Sequence, residues 1–396
     1  MKKYIYLLIF GFILFESCKT KGPEEPAPVD VPKLTITSFS PDSAEIGATV
    51  SIRGENFAPI PSDNIVKFNG LQATVQSVTV SSLLVTIPQG AITGKVTIEA
   101  NGQIAESPKN FKIARWVKKA DFGGEARISA LSFVIGTKAY IALGSSSITG
   151  YFLKDFWEYD PVANTWTQKA DFADERERSV AFAIGNKGYI TAGFTGSGLY
   201  SQTPLHEYDP VTNTWTRKVD YPDVFKASVT AFTIGTKAYV GTGITARAIL
   251  KKDLWEYNSE TNVWTQKADF GGSARLYSTG FSIDNKGYIS CGIDATGYKK
   301  DLWEYDPQTD AWTQKADFGG EARAYALSFV IGTKAYVGLG SSSSKTYKDI
   351  WQYDPVTNTW IEKEGPPFAM SRATGFAIGD RGYIQHGKSL WQFNPY

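Results

Sequence analysis

The octapeptide Ala120-Asp121-Phe122-Gly123-Gly124-Glu125-Ala126-Arg127 returns residue for residue as Ala316-Asp317-Phe318-Gly319-Gly320-Glu321-Ala322-Arg323, with a partial copy at Ala268-Asp269-Phe270-Gly271-Gly272. Around these phrases stand Trp116, Trp166, Trp215, Trp264, Trp312 and Trp360, separated by 50, 49, 49, 48 and 48 residues. A fixed period of this length is the mark of stacked structural units, none of which buries its apolar face alone. Each unit divides into four strand-sized runs, in the first case Ile128 to Ile135, Lys138 to Leu143, Asp155 to Tyr159 and Thr165 to Lys169. The turn Asp160-Pro161-Val162-Ala163-Asn164 has counterparts at Asp209-Pro210, Asn258-Ser259, Asp306-Pro307 and Asp354-Pro355. Proline presets φ there, and the aspartate can accept from the backbone that follows. Four antiparallel strands make one propeller blade, so the periodic tryptophans predict six blades.

The ends of the repeat array say how the ring shuts. The last unit stops at Ser389-Leu390-Trp391-Gln392-Phe393-Asn394-Pro395, where its fourth strand should begin. Arg115-Trp116-Val117-Lys118-Lys119-Ala120 reads as a fourth strand but precedes the first complete unit. Pairing it into the sixth blade removes the open edges. From Arg115 onward the chain resembles kelch repeats of the galactose-oxidase-like type, with Trp157-Glu158-Tyr159 leading to Trp166 as in that family. It departs in one respect: the usual double glycine after the second strand is single, at Gly144, Gly193, Gly243, Gly292, Gly340 and Gly387.

Upstream, Leu34 to Ile113 is a series of short β runs punctuated by Gly, Pro, Asn and Ser. Val96, Ile98 and Ala100 alternate with Thr97 and Glu99, the pattern of a strand with one buried face, and several such strands suggest a sandwich. Ser40-Pro41, Gly47-Ala48-Thr49-Val50, Ile52-Arg53-Gly54-Glu55-Asn56-Phe57, Val66-Lys67-Phe68-Asn69-Gly70 and Val85-Thr86-Ile87-Pro88 followed by Gly94 resemble the immunoglobulin-like IPT/TIG domain. The resemblance implies a spacer or contact module. No paired carboxylates, nucleophile triad or metal spacing stands within it.

At the start, Lys2 and Lys3 precede an apolar run from Tyr4 to Phe15 that is too short to span a bilayer and reads as a signal peptide. Phe15-Glu16-Ser17-Cys18 resembles a bacterial lipobox, which implies acylation of Cys18. Lys19 to Pro32, with Pro23, Pro26, Pro28 and Pro32, reads as an extended spacer. The expected organisation is therefore a signal peptide at 1–17, a spacer at 18–32, the IPT/TIG domain at 33–113 and the propeller at 114–396. The combination resembles Bacteroidota surface lipoproteins and implies a protein held by lipid in the cell envelope, at the outer membrane and with surface exposure open.

With 41 basic and 40 acidic residues the net charge is +1, so no global field recruits nucleic acid, and electrostatic function must be local. The chain holds only two histidines, His206 and His386, and two cysteines, Cys18 and Cys291. The imidazole pair of a galactose-oxidase-type copper site is missing, and no cofactor or metal is expected. His206 stands where other blades carry Trp157, Trp255 and Trp303, and so reads as a packing substitute. Cys291 and His386 occupy one repeat position with Leu143, Ala192, Thr242 and Leu339, which favours a buried, unreactive role over a nucleophile pair. Glu158, Glu207, Glu256 and Glu304 recur at one point of the third strand, as a solvated or backbone-bonded face would.

The candidate binding site is the mouth where the first strands begin. Five blades carry a basic group there: Arg127, Arg176, Lys226, Arg275 and Arg323. Two positions on, Arg178 and Arg372 share a place with Tyr277, Tyr325, Ser129 and Ser228. The loops joining strands two and three, at the same end, hold Tyr151, Phe152, Tyr200, Tyr298 and Tyr347. Guanidinium groups take carboxylate or sulfate bidentately and aromatic faces take sugar rings. The expectation is a non-catalytic module for a glycan, an anionic one included, or for a protein partner. A sugar-acid isomerase such as the kelch-like sialic acid mutarotase, or a structural part of an outer-membrane assembly, are the alternatives.

Overall fold

A computed structural model describes residues 32–195, 203–223 and 226–395. The signal-peptide run, Cys18, nearly all of the spacer and Tyr200 lie outside the described residues. Among the described residues the regular elements are β-strands, apart from one 3-10 turn at Pro61–Asp63.

The first domain is a sandwich. One sheet runs in the order Thr35–Ser40, Thr49–Glu55, Ser82–Thr86, Thr74–Thr79, and the other Leu71–Gln72, Ile65–Phe68, Val96–Ala100, Gln103–Glu106. Period-two alternation sends Val50, Ile52, Val96 and Ile98 inward, where they are fully buried. Phe111 closes the core edge-on to Phe39 and Phe68, with ring centroids 5.3 and 5.2 Å away. Gly54 permits the close approach of Thr35, whose carbonyl oxygen would lie 1.9 Å from a Cβ at this position.

Blade 1 consists of Leu131–Ile135, Lys138–Ala142, Phe156–Asp160 and Thr165–Lys169. The others begin at Val180–Ile184, Thr230–Ile234, Thr279–Ile283, Leu327–Ile331 and Thr374–Ile378, each first strand lying nearest the axis. Inside every blade a phenylalanine of the first strand stacks on a tyrosine of the second, from Phe133 on Tyr140 at 5.3 Å to Phe376 on Tyr383 at 5.2 Å. Neighbouring blades meet over small residues. A Cβ on Gly188, Gly287 or Gly382 would fall within 2.4 Å of Phe133, Phe232 or Phe329 of the preceding blade.

The Asp-Pro turns also join one blade to the next. Asp160 accepts from Val162 N and Ala163 N, and Asn164, at φ +54°, accepts from both Tyr159 Oη (2.9 Å) and Ala120 N (2.9 Å). Trp166 Nε1 donates to the same connector at Ala120 O, 3.2 Å away. The periodic tryptophan thus ties a fourth strand to the connector that leads into its own blade.

Blade 6 takes Thr374–Ile378, Arg381–His386 and Ser389–Phe393 from the C-terminal end and Trp116–Lys118 from before blade 1. Trp116 pairs with Phe393, Val117 with Gln392 and Lys118 with Trp391. Trp116 Nε1 donates to Glu364 O at 2.8 Å and its ring lies 4.8 Å from Phe393. Phe393 ends the third strand, so the chain enters the propeller at the face opposite the mouth. At that face Gln392 Nε2 donates to Glu45 of the first domain, 3.1 Å away.

Candidate functional site

Just before each first strand one residue turns into the left-handed region: Ser129, Arg178, Ser228, Tyr277, Tyr325 and Arg372 all have φ between +54° and +59°. None is glycine, so each carries a steric cost on the order of 1 kcal/mol. Strain of this kind persists only where the surrounding structure over-determines the backbone. Ser129 N donates to Arg372 O (2.8 Å), Ser228 N to Arg178 O (2.8 Å) and Tyr325 N to Tyr277 O (3.1 Å), linking the blades around the axis. All six residues line one axial cavity of about 190 Å³. It continues into a channel walled by Ser132, Ala181, Thr230, Ser278, Gly280 and Ser328.

Across this mouth the aromatic and cationic side chains form a row. Arg178 lies 5.7 Å from the Tyr277 ring, Tyr277 stacks on Tyr325 at 4.0 Å and 31°, and Arg372 lies 4.9 Å from Tyr325. Burial and the hydrogen bond with Tyr277 push the Tyr325 hydroxyl up, against the opposing pull of Arg372, so it stays protonated. Arg178 is about one-third exposed, with Glu177 3.9 Å away. No carboxylate of the described residues lies within ion-pairing distance of Arg372, and none lines the cavity. The mouth presents positive charge over stacked phenol faces.

The ring of five basic groups requires correction. Arg127, Arg176, Lys226, Arg275 and Arg323 are at most 2 % exposed and do not face the cavity. Arg275 grips Asp301 bidentately (2.6 and 2.8 Å) and Arg323 grips Asp349 likewise (2.6 and 2.9 Å). Arg127 meets Asp155 and Lys226 meets Asp253. Burial raises the Asp301 carboxyl, but the hydrogen bond and charge of Arg275 outweigh it and hold the group below the usual range. The arginine Nη1 also donates to the carbonyl at the end of the second strand: Leu143, Ala192, Cys291 or Leu339. Those four residues, with φ between +56° and +62°, stand directly before the repeated glycines Gly144, Gly193, Gly292 and Gly340. The guanidinium therefore pins a strained strand end.

Two blades depart from this scheme, each in its own way. In blade 2 Pro204 replaces the aspartate, and Arg176 takes Asp174 from its own connector, Nη2 to Oδ2 at 2.8 Å. In blade 6 Met370 stands for the arginine and Ser389 for the aspartate. One arginine finds another carboxylate when its aspartate is lost, and the other blade loses both partners, as a structural ion pair would.

His206 is buried and packs edge-on to Phe172 at 4.9 Å, as Trp157 packs on Phe122 at 5.9 Å. Burial, then Arg176, lower its pKa against the opposing Asp174, with smaller contributions from Arg217 and Asp220. A histidine held neutral contributes stability that is complete above its unfolded value of about 6.5 and lost as pH falls through the folded value. The urea midpoint is expected to fall between pH 7.5 and 5.5, and His206→Phe should shrink that fall, as equilibrium unfolding at both pH values will show.

Cys291 is fully buried, its thiol pushed up to about 11 by burial, so it is no thiolate nucleophile. The repeated glutamates are neither a free solvated face nor backbone-bonded. Glu158, Glu207, Glu256 and Glu304 accept from the hydroxyls of Tyr140, Tyr189, Tyr239 and Tyr288 at 2.8, 2.6, 2.9 and 2.6 Å. Of the loop aromatics, Tyr347 is buried beneath Arg323 with its hydroxyl on Glu321, whereas Tyr151 is exposed.

Fold and site define a class: an immunoglobulin-like IPT/TIG domain followed by a six-bladed kelch propeller with an open axial mouth. Residues 34–113 match the model of the IPT/TIG domain, and residues 222–387 match that of the KLHDC2/KLHL20/DRC7 Kelch-repeats domain. Among solved structures the chain is similar to that titled "Structure of YjhT", at 16% identity and a TM-score of 0.57, over 69% of this chain and 95% of that one. At that identity the likeness is one of fold. No curated protein matches the chain significantly.

Proposed function

We propose that this protein is an envelope lipoprotein whose propeller mouth binds an acidic glycan without turning it over. The observation that carries the reading is the convergence of Arg178 and Arg372 on one small cavity with no carboxylate in its lining, beside the Tyr277–Tyr325 stack. A planar guanidinium takes a sugar carboxylate in two parallel bonds, and the phenol faces offer apolar surface to a ring. Ser129, Ser179, Ser228 and Ser278 supply donors and acceptors for sugar hydroxyls. Entry of the chain at the opposite face leaves the mouth pointing away from the first domain, which suits a displayed receptor.

A binding screen of uronic acids, N-acetylneuraminic acid and their neutral analogues, with product analysis, tests the reading. Acidic sugars should bind unchanged and weaken with salt, and Arg372→Ala should weaken them at least tenfold, with a smaller loss for Arg178→Ala. Binding of neutral analogues with both variants unaffected, or conversion of the bound sugar, would overturn it. The anchor is tested separately. Cys18→Ala should move the protein from the membrane to the soluble fraction and abolish labelling by a fatty-acid probe.

A further inference from the structure

Resting on that reading, we infer that the acidic glycan is held by its end, with the anionic residue on Arg372 and the following sugars leaving over blade 6 across Phe368. The cavity of about 190 Å³ is small against the roughly 300 Å³ at which pockets for drug-sized ligands begin, so it admits about one sugar. The rest of a chain must leave the mouth, and among the described loops joining strands two and three at this end the shortest is that of blade 6. In blades 1, 3, 4 and 5 strands two and three are joined by longer loops, such as residues 143–155 in blade 1. In blade 6 they are joined by a tight turn, with His386 paired directly to Ser389 across Gly387 and Lys388.

Blade 6 also bares an aromatic. Phe122, Phe270 and Phe318 pack edge-on to the third-strand tryptophans of their blades and are at most 2 % exposed. Phe368 packs the same way on Trp391, with centroids 5.6 Å apart, but is 39 % exposed. It comes from a later point of its connector, directly behind Pro366 and Pro367. The indole N–H of Trp391 is buried without a partner, whereas Trp157, Trp255, Trp303 and Trp351 donate to aspartates. Phe368 stands four positions before Arg372, at most about 14 Å of chain, within reach of a ligand two or three sugars long. The missing ion pair, short turn and bared phenyl ring all fall on the blade that carries the unpaired mouth arginine.

Calorimetric titration of the full-length protein with free N-acetylneuraminic acid and with sialyllactose tests this assignment. In sialyllactose the same acid is followed by two neutral sugars. The trisaccharide is expected to bind about tenfold more tightly. Phe368→Ala should remove that gain while leaving the free acid unchanged, and Phe368→Tyr should keep it. Replacing Gly387-Lys388 with the longer blade 1 loop should exclude the trisaccharide and admit the acid. Equal affinities for the two probes, or a gain that survives Phe368→Ala, would overturn the exit over blade 6 while leaving the mouth reading intact. Binding of an oligoglutamate peptide in place of both sugars would overturn the two readings together.

Discussion

Deleting Trp116–Lys118 should open the propeller and destabilise it throughout. These residues supply the outer strand of blade 6, and without them Ser389–Phe393 becomes an unpaired edge that can template association. The loss combines the Trp116–Phe393 ring contact, the indole bond to Glu364 O and the ladder bonds of the three paired residues. Removing a tryptophan from such a site costs about 3 kcal/mol or more, and each ladder bond adds about 1 kcal/mol. A total of about 5 kcal/mol corresponds to a fall of roughly 10 °C in the propeller's melting temperature. Because a closed ring shares its edges, the propeller transition should shift as a whole, with larger species in size-exclusion chromatography. An unchanged calorimetric transition and a monomeric elution profile would show that the ring does not need this strand.

The second large effect concerns the buried ion pairs. Arg275→Met should destabilise the protein by about 3–5 kcal/mol, because Asp301 then sits largely buried with no cation to satisfy it. Blade 6 already shows a way out, with Met370 and Ser389 in place of the pair. The double variant Arg275→Met with Asp301→Ser should therefore recover most of the loss. About 1 kcal/mol should remain, since Trp303 Nε1 loses its acceptor as Trp391 has done. Chemical denaturation of the two single variants and the double gives the coupling directly. Strictly additive losses would mean that arginine and aspartate act apart, and would reopen a ligand role for the guanidinium.

The same contrast explains why five arginine-position residues that looked like one binding ring are not. In the repeat, Arg275 and its aspartate lie 26 residues apart, on a connector and at the start of a third strand. Only the winding of the blade brings them together. A sequence periodicity reports that a residue type recurs, and a buried salt bridge recurs as faithfully as a binding site does. The residues that break the period, Arg178 and Arg372, are the ones that reach the mouth. The signal that separates them is irregularity.

Much of the architecture was legible because it is written in local, repeated chemistry. The tryptophan spacing, the Asp-Pro turns and the orphan strand at Trp116 determined six blades and the way they close. The alternation of Val96, Ile98 and Ala100 determined a one-sided strand in the first domain. His206 could be read as a packing substitute because the repeat says what it replaces. What only the tertiary structure decided is which way each polar group faces. The left-handed turn shared by Ser129, Arg178, Ser228, Tyr277, Tyr325 and Arg372 brings those side chains to the axis, while their neighbours two residues earlier are driven into the blade. Strand pairing across distant residues turned the repeated glutamates onto tyrosine hydroxyls. Backbone torsion and long-range pairing follow from how whole blades pack around a closed ring, and a linear pattern carries the period of that packing without its direction.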